Sequence, residues 1–250
     1  MITGIVVALP EELNTLTRFP GFTGARKIDK GTSTFLGNSV VVAYSGAGPN
    51  NARLAAELLI TNGATRLISW GCAAALSETL KPGDLLLAGS LIDSCNNKIS
   101  IESEWRNYAE SQLLKYLPVH CGCLAESEII VSMSKDKIKL RSQTAAIALD
   151  MESIAVAKVA GHYSLPFLTI RAIADPVRMD LPTSVNYALN NQGDIVLSRL
   201  LFHLACHPAQ LKGLIKLGLY FNDAKSTLKL VAKHLNKILD FNDNFNHQLV

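Results

Sequence analysis

"SVVVAYSGAGPNNARLAAELLITNGATRLISWG", residues 39–71, contains the alternation that decides the fold. Two apolar runs, 39–46 and 66–71, flank a helical pattern over 50–63, and Gly63 stands where that helix should end. Apolar strands that alternate with helices are typical of a mostly parallel sheet with both faces covered. This stretch therefore predicts an α/β fold.

The rest of the first two hundred residues continues the same pattern. A "GN" pair at 37–38, between "STFL" and "SVVV", predicts a hairpin and therefore a mixed sheet. We expect a three-layer α/β fold, in which a mixed central sheet is flanked by helices. Four more strands are predicted, at 2–9, 84–90, 145–149 and 166–174. A second helix is predicted at 151–163.

The pattern changes after about residue 207, where strand patterns stop and apolar residues recur at helical spacing. We expect a domain at 1–207 and a C-terminal helical extension at 208–250. Between Lys212 and Lys237 the extension has six lysines, and Asp223 is the one acidic residue in that span. The extension can pack on the core or on a second subunit, or its 208–240 helices can make a peripheral membrane contact. One apolar stripe is predicted, through Leu211, Leu214, Gly218, Phe221, Ala224, Leu228, Val231, Leu235 and Ile238.

Composition excludes several classes of protein. Hydrophobic residues make up 48% of the 250 residues, yet no apolar run reaches the roughly 18 residues that a membrane span requires. The start lacks the basic segment of a signal peptide, so we expect a cytoplasmic protein. The five cysteines have no metal-ligand spacing, which predicts free thiols and no metal. A net charge of +3 without aromatic and basic clusters predicts no nucleic-acid partner.

Carboxylates follow several of the predicted strands. Ligands of open α/β sheets bind beyond the carboxyl ends of the strands, where we expect three groups of carboxylates to converge: Glu11 with Glu12, Asp150 with Glu152, and Asp175. Each acid could instead only stabilise a helix N-terminus. The loop "SGAGPNNA" fits a dinucleotide site poorly, because Asn51 replaces the third glycine and no acid follows at the required distance.

Five motifs together resemble the purine nucleoside phosphorylase superfamily, and most of all its 5′-methylthioadenosine/S-adenosylhomocysteine nucleosidase branch. They cover roughly residues 2–205. Within that group, residues 174–195 and the extension resemble hopanoid-associated phosphorylases, which are thought to remove adenine from adenosylhopane. The motifs are "IVVALPEEL", "SGAGPNNA", "ISWGCAAAL..LKPGDLLLA", "ALDMES" and "IRAIADP".

The resemblance implies roles for particular residues. Met151 and Glu152 match the pair that lies under the ribose, with Asp150 behind them or capping a helix. Asp175 matches the aspartate that protonates or hydrogen-bonds N7 of the leaving adenine, and Ile130 aligns with the base-binding loop. Three further candidates for substrate binding are Ser45, Gly71 and Cys72.

Residues 69 and 72 bear on whether the nucleophile is water or phosphate. Relatives that bind phosphate often have an arginine and a serine around the glycine that Gly71 matches, whereas this chain has Ser69 and Cys72 there. Glu12 matches the glutamate that activates water in the nucleosidases, and a carboxylate close to phosphate is unfavourable. Hydrolysis is therefore favoured.

Several alternatives stay open. The main one is phosphorolysis, with phosphate as a co-substrate. The others are a non-catalytic nucleoside-binding protein and a dinucleotide-dependent oxidoreductase. For the favoured enzyme we expect a small-molecule purine nucleoside as substrate, no metal or organic cofactor, and a homodimer or larger homo-oligomer.

Overall fold

The computed structural model describes residues 1–17, 28–37, 39–101, 103–183, 187 and 206–241. These residues form nine strands and seven α-helices. The strands are β1 (Thr3–Val7), β2 (Thr32–Leu36), β3 (Val40–Tyr44), β4 (Arg66–Ala75), β5 (Leu85–Ile92), β6 (Lys98–Ser100), β7 (Val119–Glu126), β8 (Ala148–Asp150) and β9 (Phe167–Asp175). The helices are α1 (Pro10–Thr17), α2 (Pro49–Thr61), α3 (Glu104–Leu113), α4 (Ser134–Thr144), α5 (Ser153–His162), α6 (Leu211–Lys233) and α7 (Leu235–Leu239).

The strands form one mixed sheet. Strands β3, β1, β4 and β9 lie side by side and parallel, and β2 pairs with β3 as the predicted antiparallel hairpin. Strand β9 also pairs antiparallel with β5, so it closes a ring with β4, β8, β7 and β5. The carboxyl ends of the parallel strands therefore meet on one side of the sheet.

Helices cover both faces of the sheet, as predicted. One apolar cluster contains Leu16 of α1, Trp105 of α3 and Leu228 of α6 together with strand residues. A second cluster contains Leu59 of α2 and Ile154 of α5. The three-layer α/β fold with a mixed central sheet is confirmed.

Helix α2 shows how the sequence sets an element. Its buried residues Ala52, Ala55, Ala56 and Leu59 lie at the helical spacing of one face. Pro49 occupies the first turn, where its missing N–H costs nothing. Gly63, at φ 86°, follows the C-cap and ends the helix as expected.

Strand β4 is longer than predicted. It runs from Arg66 to Ala75, so Gly71 and Cys72 lie inside the strand and not after it. The reason is pairing on both sides, with β9 through Cys72 and Ala172 and with β8 through Ala74 and Leu149. Partners that are distant in sequence extend the strand beyond its apolar run.

The predicted strand at 145–149 is shifted to Ala148–Asp150. Helix α4 continues to Thr144, and Ala145 adopts the left-handed conformation (φ 56°) that ends a helix. Helix α5 begins at Ser153 and not at 151. Strands β6 and β7 were not predicted; in β7, Leu124 and Ala125 alone are fully buried, so its apolar pattern is weak.

The C-terminal helices pack on the sheet. Ala224, Leu228 and Val231 of α6 and Ile238 of α7 are buried in the same apolar cluster as Trp70 of β4. The predicted stripe is thus buried from Ala224 onward. The division of the chain at residue 207 stays a prediction.

One face of the first half of α6 is exposed. Leu211, Ile215 and Leu219 are 47%, 56% and 62% exposed and follow one another at a spacing of four residues. Within the part of the chain that the structure describes, no helix is long and apolar enough to cross a bilayer.

Candidate active site

The site is centred on Gly71, inside β4. A Cβ atom on this glycine would lie 2.4 Å from Nη1 of Arg171 and 2.7 Å from Oε1 of Glu12. A side chain has no room there, so glycine is required if the guanidinium and the carboxylate are to approach this close to the strand.

Glu12 is held in the site by backbone donors. It lies in the first turn of α1 and is 3% exposed, whereas the adjacent Glu11 is on the surface. Its carboxylate accepts hydrogen bonds from the N–H groups of Cys72 (2.7 Å) and Leu9 (3.1 Å). Burial raises the pKa of Glu12, against the lowering effect of Arg171 and the backbone donors.

Arg171 is the cation of the site, and its role was not predicted from the sequence. Its guanidinium lies 2.6 Å from a carboxylate oxygen of Asp150 and 3.9 Å from one of Glu152. Burial lowers the pKa of Arg171, but the surrounding carboxylates more than offset this and raise it. An arginine in the otherwise apolar run "PFLTIRAIA" was the sequence feature that could have revealed this residue.

Asp150 and two serines hold the guanidinium in place. Arg171 donates to the hydroxyl oxygen of Ser69 (2.6 Å) and to that of Ser153 (3.1 Å). Asp150 in turn accepts from the Ser153 hydroxyl (2.5 Å) and from the Ser153 N–H (3.3 Å). Asp150 therefore positions both the cation and the first residue of α5.

Glu152 links the glycine-rich loop at 45–52 to the cluster of Glu12, Asp150 and Arg171. Its carboxylate accepts a hydrogen bond of 2.9 Å from the N–H of Gly48. Burial, partly offset by Arg171, raises the pKa of Glu152 to about 7. The neighbouring Met151 is half-buried. Because Glu152 uses a donor that a dinucleotide loop would offer to phosphate, this contact argues against the dinucleotide interpretation.

Cys72 and Ser45 lie in the same region of the sheet. The half-buried Cys72 has a thiol whose pKa is raised well above its usual value, by burial and then by Glu12, so it is a neutral thiol. Ser45 follows β3, is buried, and can donate its hydroxyl to the carbonyl of Gly46 (2.7 Å) or of Val7 (3.1 Å). We find no hydrogen bond between Ser45 and the carboxylates among the described residues.

Asp175 stands apart from this cluster, at the end of β9. It is four residues beyond Arg171, which is about 13 Å along an extended strand. The pairing of β9 with β4 skips Ala174, and such a bulge re-aims the side chain that follows it. One oxygen of Asp175 lies 2.6 Å from the ammonium of Lys137. Burial, partly offset by Lys137, raises the pKa of Asp175 to about 6.

Ile130 lies in the loop between β7 and α4 and is half-buried. The loop starts beside the site, because the N–H of Ser127 donates to the carbonyl of Asp150 (2.9 Å). Within the described residues, no hydrogen bond joins Ile130 itself to the cluster. The structure thus brings together Glu12, Gly71, Cys72 and Glu152, whereas among the described residues no hydrogen bond or ion pair joins Ser45, Ile130 or Asp175 to them.

The arrangement suits reactions that move protons and stabilise positive charge. Three buried carboxylates, those of Glu12, Asp150 and Glu152, surround one guanidinium. Among residues 1–17, 28–37, 39–101, 103–183, 187 and 206–241 there is no group of three His, Cys, Asp or Glu side chains that could hold a metal ion.

Comparison with protein families places the chain. Residues 2–198 match the phosphorylase superfamily, and the chain belongs to this family. The predicted superfamily is confirmed, and so is the class of enzyme, one that cleaves N-glycosidic bonds. The resemblance to hopanoid-associated phosphorylases stays a prediction.

Curated relatives include nucleosidases and a phosphorylase. A 5′-methylthioadenosine/S-adenosylhomocysteine nucleosidase of Baumannia cicadellinicola subsp. Homalodisca coagulata is 30% identical over 158 residues, which is 56% of this chain and 69% of that protein. A DeoD-type purine nucleoside phosphorylase of Clostridium novyi is 26% identical over 58% of this chain and 68% of its own length.

Solved structures of two nucleoside-cleaving enzymes have the same fold. A 5′-methylthioadenosine/S-adenosylhomocysteine nucleosidase of Neisseria meningitidis, in complex with methylthio-immucillin-A, superposes with a TM-score of 0.70 at 18% identity, covering 95% of this chain and 98% of that one. A futalosine hydrolase of Helicobacter pylori superposes with a TM-score of 0.68 at 18% identity, covering 95% and 97%. At these identities the likeness concerns the fold.

Proposed function

We propose that this enzyme hydrolyses the N-glycosidic bond of an adenine nucleoside with a 5′-substituent and releases adenine. The observation that carries the proposal is that the buried Glu12 and Arg171 both approach Gly71, at the place where a side chain would otherwise stand. The nucleosidases among the curated relatives support the same reaction.

Glu12 is the base that activates water in this proposal. The water oxygen forms a bond to C1′ of the ribose while Glu12 takes one of its protons. The bond from C1′ to N9 breaks, and its electron pair leaves with adenine. Because burial raises its pKa, the carboxylate of Glu12 is a better proton acceptor than an exposed glutamate.

Glu152 and Met151 bind the ribose. A carboxylate only accepts hydrogen bonds and can take two hydroxyl donors at once, which suits the 2′ and 3′ hydroxyls. Negative charge near C1′ also stabilises the oxocarbenium-like transition state more than the ground state. The thioether of Met151 packs on the sugar, and Gly71, Cys72 and Ser45 form the surrounding wall.

Asp175 protonates N7 of the leaving adenine, which is a poor leaving group as an anion. Its pKa of about 6 lies close enough to neutrality for a carboxyl group to carry a proton and give it up. The backbone near Ile130 contacts the purine in this proposal.

Water is favoured over phosphate on electrostatic grounds. The single positive charge of Arg171 is already shared with Asp150, Glu152 and Glu12. A phosphate with about two negative charges would meet an excess of carboxylates at low effective dielectric. Phosphorolysis remains the second candidate, since a DeoD-type phosphorylase is among the relatives.

An adenine-release assay over a panel of nucleosides, with and without phosphate, tests the proposal. The panel contains adenosine, 5′-methylthioadenosine, S-adenosylhomocysteine and adenosylhopane, the substrate that the subfamily resemblance implies. A protein that only binds nucleosides would return them intact. The predicted homo-oligomer, a dimer or larger, stays a prediction that light scattering would check.

Peripheral membrane contact is proposed for the first half of α6. Leu211, Ile215 and Leu219 are exposed, and Lys212 and Lys216 are exposed beside them. A basic helix with exposed apolar residues can lie in an anionic interface, at about 1 kcal/mol per lysine near the surface.

Co-sedimentation with liposomes tests this contact. We expect the protein to bind anionic vesicles, and to bind them more weakly at high salt. The triple variant Leu211→Gln/Ile215→Gln/Leu219→Gln should lose this binding but keep adenine release. Substitution is the better test than truncation after His207, because truncation would remove core residues such as Leu228. If the parent protein ignores anionic vesicles, the contact is excluded.

A further inference from the structure

Lys137 is an unusual residue for its position in the fold. It lies in the first turn of α4, a helix whose other side chains are exposed or half-buried, yet its own side chain is completely buried. Burying a charge is costly, and a cation is unfavourable near a helix N-terminus. The stability of α4 therefore gives no reason for a lysine here.

The ammonium of Lys137 is fully saturated by three acceptors. It lies 2.6 Å from Oδ2 of Asp175, and it donates to the carbonyls of Met179 (2.9 Å) and Pro176 (3.2 Å). An ammonium has three hydrogens to donate. These contacts fix the cation between the end of β9 and the segment that follows.

The other oxygen of Asp175 is in the opposite situation. Oδ1 is buried and has no hydrogen-bond partner among the described residues. An unsatisfied buried carboxylate oxygen costs about 1 to 3 kcal/mol or more, so it marks a place where a partner is expected. With Oδ2 held by Lys137, Oδ1 is the oxygen that is free to meet a ligand.

The segment after Asp175 is tied to α4 at further points. Asp180 accepts a hydrogen bond of 2.7 Å from the N–H of Ser134, and the N–H of Leu181 donates to the carbonyl of Ser132 (2.8 Å). The start of α4 thus acts as a fixed support for residues 175–181.

We propose that Lys137 is a positioning residue for Asp175: it holds Oδ2 and leaves Oδ1 free for the purine. This inference rests on the proposed function of Asp175. General acids work best when their pKa lies near the operating pH. Burial alone would raise the pKa of Asp175 further, and Lys137 opposes that effect.

Other charges near Asp175 are engaged elsewhere. Arg171, on the same strand, is bound by Asp150. Arg178 is paired with Glu78 at the surface, and Asp180 caps α4. Among the described residues, Lys137 is the charged group that shifts the pKa of Asp175.

The test is the pH profile of kcat/KM for adenine release by Lys137→Met and by Lys137→Arg. Activity that needs protonated Asp175 falls as pH rises through its pKa. This fall is the alkaline limb of the pH profile. In Lys137→Met the cation is gone, so the pKa of Asp175 should rise and the alkaline limb should move up by about one pH unit or more. The plateau rate should fall at least about tenfold. Lys137→Arg keeps the charge and should keep the limb. Lys139→Met, an exposed change on the same helix, should keep both.

The double variant Lys137→Met/Asp175→Asn covers the case in which the single variant does not fold. If Lys137 acts through Asp175, the double variant should be no slower than Asp175→Asn alone. A lower rate at every pH with an unmoved limb, or further loss in the double variant, would reduce Lys137 to a structural role. Absence of adenine release by the parent enzyme would instead overturn the proposed function itself.

Discussion

Asp175→Asn tests the residue that is proposed to protonate the leaving adenine. The amide cannot deliver a proton to N7, so we expect kcat to fall by about 10² to 10⁴ while nucleoside binding is largely kept. Single-turnover adenine release, with a fluorescence or calorimetric binding measurement, separates the two effects. A rate close to that of the parent enzyme would remove Asp175 from the mechanism.

At the residue scale, the acids could be predicted and their cations could not. Glu12, Glu152 and Asp175 stand after predicted strands and match family motifs, so sequence was enough to select them. Arg171 and Lys137 are partners that folding supplies from distant elements. Arg171 is in an apolar strand and Lys137 in a very polar helix, so only their burial, which depends on the whole fold, reveals them.

Leu228→Ala tests whether α6 belongs to the core, at the scale of one element. Leu228 is completely buried in the main apolar cluster, so the change should lower the free energy of unfolding by about 2 to 5 kcal/mol. The matched control is Leu219→Ala, on the exposed half of the same helix, which should change it by less than about 0.5 kcal/mol. Urea denaturation measures both. Equal effects would mean that α6 does not pack as described.

Elements were predictable where the local pattern is strong. Helix α2 and the β2–β3 hairpin carry their own apolar spacing and turn residues, and both lie close to their predicted bounds. The observed bounds of β4 and β8 differ from the predicted ones, because pairing with strands distant in sequence determines where these two strands end. Strand β7 was missed because few of its side chains are buried, which removes the apolar run on which strand prediction depends.

For the whole molecule, buried acids should make stability depend on pH. On folding, the pKa of Glu152 rises from 4.5 to about 7 and that of Asp175 rises from 3.8 to about 6. A carboxyl group whose pKa is higher in the folded state contributes stability below its pKa in the unfolded state. That contribution is lost as the pH rises through its pKa in the folded state. The free energy of unfolding should therefore fall between about pH 4 and pH 7.

Urea denaturation at several pH values measures this dependence. Glu152→Gln removes one titrating group and should have a shallower slope between pH 5 and 7 than the parent protein. Parallel slopes would show that Glu152 does not carry a raised pKa.

The central claim is hydrolysis, and adenine release from 5′-methylthioadenosine in phosphate-free buffer tests it most directly. We expect one adenine and one free 5′-methylthioribose per nucleoside, no increase in rate on addition of phosphate, and strong loss of rate in Glu12→Gln, whose amide cannot accept a proton from water. Release that requires phosphate and yields a ribose 1-phosphate, with Glu12→Gln fully active, would contradict the claim and establish phosphorolysis.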